Sequence, residues 1–184
     1  MTTRVFTVGH GARTLEAFVD LLRGAGVELL VDVRTAPGSR KHPHFGRDAL
    51  AASLPDLGVA YEWWGEDLGG FRKARKDSRH VELRVDGFRG YADHMETEAF
   101  RDARGRLMLV AAERLTAVMC AESLWWRCHR RMLADALVAA GSEVVHIMDG
   151  PKLEPHRLMA AARVEGDLPV YDVREDEGGQ RRLT

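Results

Sequence analysis

Cysteine is scarce in this chain: Cys120 and Cys128 are the two among 184 residues. That is too few to staple a small secreted scaffold. No stretch approaches the ~18 consecutive apolar residues that a membrane span needs. The opening residues Met1 to His10 also lack the apolar core of a secretory signal. Charge of one sign is lacking as well, with 27 Lys plus Arg against 28 Asp plus Glu and a net charge of -1. A globally basic nucleic-acid coat is thereby excluded, although a local basic patch is not. The first apolar run ends in Gly9-His10-Gly11 rather than Gly-x-Gly-x-x-Gly, which argues against a dinucleotide cradle and hydride transfer. No internal repeat, linker or low-complexity segment is present. What remains is a chain with 45% hydrophobic residues and a length suited to one core. The expectation is one cytoplasmic domain over residues 1–184 with no membrane partner and with a partly frayed tail after about residue 166.

The apolar residues alternate between strand and helix patterns. Val5 to Val8 form a short β-type run. Residues 14 to 25 read as a helix, with Thr14 as N-cap, Glu16 in the first turn and Leu15, Phe18, Val19 and Leu22 along one stripe. Glu28 to Val33 is nearly all apolar, as in a strand covered on both faces. A short helix near Arg47 to Leu57, a strand near Val59 to Trp63 and a long polar excursion over 65–90 follow. Helical pattern returns from Tyr91 to Glu113 with a break near Thr97, then a strand over Leu115 to Cys120. The strongest helix pattern spans 124–140, with Leu124, Cys128, Met132, Leu133, Ala136, Leu137 and Ala140 on one stripe and Gly141 ending it. Val144 to Met148 is a further buried strand, and Pro169 to Val173 an edge strand. Such alternation predicts an α/β fold: a single domain with a mainly parallel sheet flanked by helices in a Rossmann-like three-layer arrangement.

In open α/β sheets, ligands bind beyond the carboxyl ends of the strands. Those ends hold His10, then Asp32 and Arg34, then Cys120 and Glu122, then His146 and Asp149. Taken singly, each is an ordinary loop residue; parallel strands would gather them on one edge. Cys120 ends a buried run just ahead of a helix, where unpaired N–H groups and the helix dipole favour an anion. Arg127, His129 and Arg130 add positive potential. A thiol there ionises readily, as a nucleophile must, and Glu122 offers a proton acceptor or donor. Cys128 is either a second thiol of the site or a small core residue. Zinc bound by the two cysteines and two histidines is the lesser reading, because Cys-x7-Cys is not the paired Cys-x2-Cys pattern of structural zinc sites. Nor does a glycine-rich turn follow Cys120, as a phosphatase loop would require.

Two segments are locally basic. One carries Arg34, Arg40, Lys41, His42, His44 and Arg47; the other carries Arg72, Lys73, Arg75, Lys76, Arg79, His80 and Arg84 against Asp77 and Glu82. Trp63, Trp64, Phe45, Phe71, Trp125 and Trp126 lie near them in sequence. Cations beside flat rings suit phosphates beside bases, so an anionic small molecule or a nucleic acid is the expected partner. The plainer alternative is a solvated surface with the tryptophans filling the core.

Several fragments in order resemble one family. They are Thr7-Val8-Gly9-His10, Asp32-Val33-Arg34 with Pro37 and Ser39, Leu68-Gly69-Gly70, Gly90 to Met95, and Cys120-Ala121-Glu122 through Trp126-Arg127-Cys128-His129-Arg130. Together, over roughly residues 4–148, they resemble the family called "domain of unknown function 488". The chain departs from that family's pattern in having Gly11 where serine is usual, and Trp125 where proline is frequent. The resemblance implies a compact α/β domain with its motif residues at one sheet edge, and it implies no particular reaction. By motif match it points to His10, Asp32, Arg34, Ser39, Tyr91, Cys120, Glu122, Cys128, His129 and Arg130. The expected roles are Cys120 as nucleophile or redox-active thiol, Glu122 and His10 as acid and base, and Asp32 as orienter. Arg34, Ser39, Arg127, His129 and Arg130 would hold the anion, with Tyr91 capping the pocket. The leading expectation is a thiol-dependent hydrolase or transferase acting on a phosphorylated, nucleotide-like or nucleic-acid substrate, without cofactor. The competing class is a non-catalytic binding module with structural cysteines.

Overall fold

A computed structural model of the chain describes residues 2–38, 40–150 and 152–174. Fourteen regular elements run in chain order: β1 (Arg4–Gly9), α1 (Leu15–Gly24), β2 (Leu29–Asp32), α2 (Arg47–Ser53), β3 (Ala60–Trp63), α3 (Gly65–Leu68), α4 (Asp86–Met95), α5 (Glu98–Glu113), β4 (Thr116–Cys120), α6 (Arg130–Ala139), β5 (Glu143–Ile147), β6 (Leu153–Pro155), β7 (Ala162–Glu165) and β8 (Leu168–Tyr171). Six strands form one sheet in the order β3-β2-β4-β1-β5-β6. All neighbours in it are parallel except β6, which closes one edge antiparallel to β5.

The central strands are apolar on both sides because both sides are covered. Phe6, Val8, Leu30, Ala117 and Met119 face Phe18, Leu22, Phe45 and Leu50 from the α1 and α2 side. Val5, Val31, Val118 and Val144 face the opposite side, against Tyr91, Phe100, Leu107, Leu133 and Leu137 of α4, α5 and α6. Each of these buried leucines contributes about 1.5–3 kcal/mol, which is why two core layers hold one sheet. Helix starts follow the chemistry of their caps. Thr14 accepts from the Ala17 N–H at 3.2 Å, and Thr97 accepts from the Phe100 N–H at 3.3 Å. Thr97 thus splits the helical stretch into α4 and α5, as the break in its pattern predicts.

Three stretches differ from the sequence expectation. The stripe from Leu124 onward does not begin a helix there: Trp125–Arg127 form a 3-10 turn, Cys128 is extended (φ -133°, ψ 174°), and α6 starts only at Arg130. Trp125 is responsible, its ring stacked flat on His146 at 4.1 Å. The helix near 47–57 is a shorter α2 followed by a 3-10 turn over Pro55–Leu57. The expected edge strand is β8, and it pairs with β7 in a separate hairpin rather than with the main sheet. The tail beyond Arg174 and residue Ser39 lie outside the described residues. Among the described residues no helix is long and apolar enough to cross a membrane.

The winding fixes where a crevice must open. From β1 the chain crosses β4 to reach β2, with α1 on one face; from β4 it crosses β1 to reach β5, with α6 on the other face. β1 and β4 are therefore neighbours whose following segments depart to opposite faces. This is the topological switch point, and its carboxyl edge is set by the pair Gly9 and Cys120.

Candidate functional site

At that edge the His10 N–H donates to the Cys120 carbonyl at 3.0 Å, and the Gly11 N–H to the Ala121 carbonyl at 3.0 Å. Gly9 is required by close approach: a Cβ there would lie 1.9 Å from the Glu122 carbonyl oxygen. Gly11 has φ +55°, and the Ser123 hydroxyl oxygen lies 2.2 Å from where its Cβ would be. The Ser123 side chain of the Cys120 loop thus takes the space that a side chain at residue 11 would need.

Two polar groups flank this edge on opposite faces of the sheet. On the α1 face, Arg34 holds Asp32 bidentately, Nε to Oδ1 at 2.9 Å and Nη2 to Oδ2 at 2.6 Å. Arg34 Nη2 also donates to the Phe45 carbonyl at 2.8 Å, and the Tyr61 hydroxyl donates to Asp32 at 2.7 Å. His10 stacks on Phe45 at 4.2 Å. Its Nδ1 lies 2.9 Å from the Gly11 carbonyl and its Nε2 3.2 Å from Arg34 Nη1. The carbonyl can only accept and the guanidinium can only donate, so Nδ1 carries the proton and Nε2 accepts. Burial holds His10 neutral, its pKa lowered to about 4. Every polar atom of this cluster is engaged within it.

On the α6 face the two sulfurs meet. Cys120 Sγ and Cys128 Sγ are 3.0 Å apart. Arg130 Nε donates to both, at 3.1 Å and 3.3 Å. The same guanidinium donates to the Glu122 carbonyl, to the Ser123 carbonyl at 3.3 Å and to the Thr7 hydroxyl at 3.4 Å. Cys120 is 3% exposed and Arg130 1%; Cys128 is half-buried and opens onto solvent space. The hydrogen bond from the Cys120 thiol, with Arg130 beyond it, lowers Cys128 to about 6, whereas that bond and burial push Cys120 up. Of the pair, the less buried Cys128 is the sulfur favoured to carry the charge, with Cys120 as its donor. The departure of residues 124–128 from the helix is what turns Cys128 toward this partner.

A cavity of about 390 Å³ opens over Cys128. Arg34, Cys120, Glu122, Arg127, Cys128 and His129 border it, with Phe71, Val85 and Phe88 as an apolar wall. The structure thus brings six of the expected residues to one hollow. His10, Asp32 and Arg130 do not border it, Arg130 being joined to it through both sulfurs. Tyr91 is fully buried, its hydroxyl donating to the Leu68 carbonyl at 3.0 Å and its ring against His129 at 5.1 Å. It supports His129 from below and does not border the opening. His129 Nε2 donates to the Val33 carbonyl at 3.2 Å, and burial lowers its pKa to about 4. Arg34 and Arg130 have their donors engaged by protein groups. Arg127 is exposed and makes no side-chain hydrogen bond or ion pair among the described residues, so it is the free cation at the rim. The Ser39 assignment lies outside the described residues.

Sequence reasoning missed a buried chain behind the thiols. Thr7 Oγ1 lies 2.7 Å from His146 Nδ1, His146 Nε2 2.9 Å from His156 Nδ1, and His156 Nε2 2.8 Å from Asp135 Oδ1. Tyr171 donates to Asp135 Oδ2 at 2.9 Å. The Asp135 carboxylate accepts, so with neutral rings all donors point one way, from Arg130 through Thr7, His146 and His156 to Asp135. Burial and the neighbouring His156 lower His146 to about 3. The one member that the sequence singled out is His146, as a polar residue at the end of its strand. Two cations of the basic segment over 72–84 are paired: Arg75 and Arg79 both pair with Glu96, and Arg79 also pairs with Glu165. His80, Asp93 and Glu96 bring three ligand-type atoms within 4.8 Å of one another. However, the Tyr171 N–H points at His80 Nδ1 at 3.3 Å, leaving Nε2 as an N–H facing Glu96. That cluster is a charge-balanced support for the hairpin.

The fold and this edge define an α/β protein with a dithiol under a buried guanidinium at the switch point of a parallel sheet. The chain belongs to the family described as Domain of unknown function DUF488, whose model matches residues 14–137. The match takes in both cysteines and Arg130; His10 precedes it. No curated protein and no solved structure matches the chain.

Proposed function

We propose that this protein is a thiol-dependent enzyme acting on a phosphorylated or nucleotide-like substrate, with Cys128 as its nucleophile. One observation carries the reading: half-buried Cys128 borders the cavity, its sulfur in hydrogen-bond contact with the Cys120 thiol at 3.0 Å and accepting from Arg130 Nε at 3.3 Å. Both donors stabilise the thiolate, which is the reactive form. The sequence alone gives the nucleophile's role to Cys120, but that residue is 3% exposed, so of the two cysteines bordering the cavity Cys128 is the more open to substrate. The flat part of the substrate lies against Phe71 and Phe88, and its anionic group is held by Arg127. Glu122, bordering the same cavity, serves as the proton donor to the leaving group or acceptor from water. His10, Asp32 and Arg34 act as positioning residues that fix the loop edge, because their polar atoms are engaged with one another. A pure nucleic-acid binding module has less support, since Arg75 and Arg79 are held by carboxylates.

Comparing iodoacetate with iodoacetamide tests this. Cys128 should be the fast site for both reagents. Arg127→Ala should lower the iodoacetate rate about fivefold relative to iodoacetamide, matching roughly 1 kcal/mol for one nearby charge. An unchanged ratio would contradict the anion assignment, and equal rates at both cysteines would contradict the nucleophile.

A further inference from the structure

Two cysteines are more than a simple nucleophile needs, and the second is held against the first. Cys120 Sγ lies in contact with Cys128 Sγ, on a residue that is only 3% exposed. Their separation of 3.0 Å is about 1 Å beyond the bonded length of about 2.05 Å. The intervening segment is a loop with a single 3-10 turn, and not a helix that would resist the movement. Arg130 Nε faces both sulfurs and so stays bonded to whichever carries the charge. Glu122, Arg127 and His129 border the cavity around the pair, and Tyr91 backs it.

We infer that Cys128 and Cys120 are an attacking and a resolving thiol, giving this site thiol–disulfide exchange with a small anionic disulfide. The inference rests on Cys128 being the nucleophile. In the first step the Cys128 thiolate attacks one sulfur of the disulfide RSSR. A Cys128–S–SR bond forms, the S–S bond of RSSR breaks, and RS⁻ leaves with the electron pair. In the second step Cys120 attacks Cys128 Sγ. The Cys120–Cys128 bond forms, the Cys128–SR bond breaks, and the proton of Cys120 leaves with the departing thiol as RSH. The protein is oxidised by two electrons and the external disulfide is reduced by two. Burial suits Cys120 to this task, because it meets only an adduct already on Cys128. The cavity selects the partner: an aromatic wall for a flat group and Arg127 for its charge.

The test uses the full chain, reduced and freed of reductant, with dithiobis(nitrobenzoic acid), a flat disulfide bearing carboxylates. The wild type should release two equivalents of aryl thiol per chain. The second release should be independent of reagent concentration, and a peptide map should show a 120–128 bridge with no aryl adduct. Cys120→Ser and Cys120→Ala should release one equivalent and keep a stable adduct on Cys128. The wild-type map decides the matter even where a variant folds poorly. If the wild type keeps its aryl group on Cys128 with no bridge, the inference fails and the nucleophile reading stands. If Cys128→Ser reacts at Cys120 as fast as the wild type does at Cys128, both fall.

Discussion

Replacing Cys120 with alanine removes the largest influence that keeps Cys128 ionised, and the size of the effect can be worked out. The Cys120 thiol sits 3.0 Å from Cys128 Sγ, and with Arg130 it holds Cys128 at about 6. A hydrogen bond to a charged group is worth about 1.5–3 kcal/mol. At 1.36 kcal/mol per pK unit, its loss raises Cys128 by about 1–2 units, to about 7–8. At neutral pH the thiolate fraction then falls from about nine-tenths to between about one-half and one-tenth. The rate is a poor readout, because a thiolate of higher pKa is intrinsically more nucleophilic and masks part of the loss. The midpoint of the alkylation profile against pH is the clean one. Cys120→Ser, which keeps an O–H donor, should recover most of the shift. Alanine costs the fold only about 1 kcal/mol of lost apolar contact, so both variants should be folded at the temperature of the assay. A midpoint that stays near 6 in Cys120→Ala would refute the hydrogen-bond account.

The buried histidines make stability pH-dependent in a fixed direction. His10 and His146 have folded-state pKa values lowered to about 4 and about 3 by burial, below the ordinary 6.5. The unfolded chain therefore binds protons first, and stability is full above about 6.5 and lost as pH falls. Each should forfeit on the order of 2 kcal/mol between pH 7 and pH 5, read from denaturant midpoints; a flat profile would contradict their burial. Asp135→Asn strips the charge that orders the chain from Arg130 to His156, and unfolding should become easier by about 1.5–3 kcal/mol, the size of a hydrogen bond to a charged group. A change under 1 kcal/mol would mean that the chain is not formed. Gly9→Ala drives a methyl into the Glu122 carbonyl and should cost about 1–3 kcal/mol while displacing the thiol loop. Normal stability with unchanged Cys128 reactivity would contradict the close approach.

The alternation of apolar runs made the layered α/β architecture legible, since strands covered on both faces are apolar throughout and helices carry a stripe. Strand ends were legible too, which is why Cys120, Glu122, Arg34 and the Arg127–His129 segment were expected around one hollow. What the sequence hid were contacts whose outcome depends on tertiary partners. The stripe through Leu124 and Cys128 has helical period, yet Trp125 stacks on His146 from β5 and holds the segment off the helix. That single contact turns Cys128 from a helix residue into the half-buried partner of Cys120. Likewise His10, Asp32 and Arg34 carry the residue types of catalysis, but their side chains bond to one another, and of the three only Arg34 borders the cavity. The charge on Arg75 and Arg79 looked free because Glu96 and Glu165 lie far away in sequence. Period and spacing report which face a residue takes, and not whom it meets there.

The most direct measurement is a site-resolved labelling profile of the reduced wild-type chain against pH, with each cysteine followed by mass spectrometry. Cys128 should titrate with a midpoint near 6 while Cys120 stays almost unlabelled up to the ordinary thiol range of about 8.5. Two cysteines with a common midpoint near 8.5, or faster labelling at Cys120, would contradict an ionised Cys128 resting on a protonated partner.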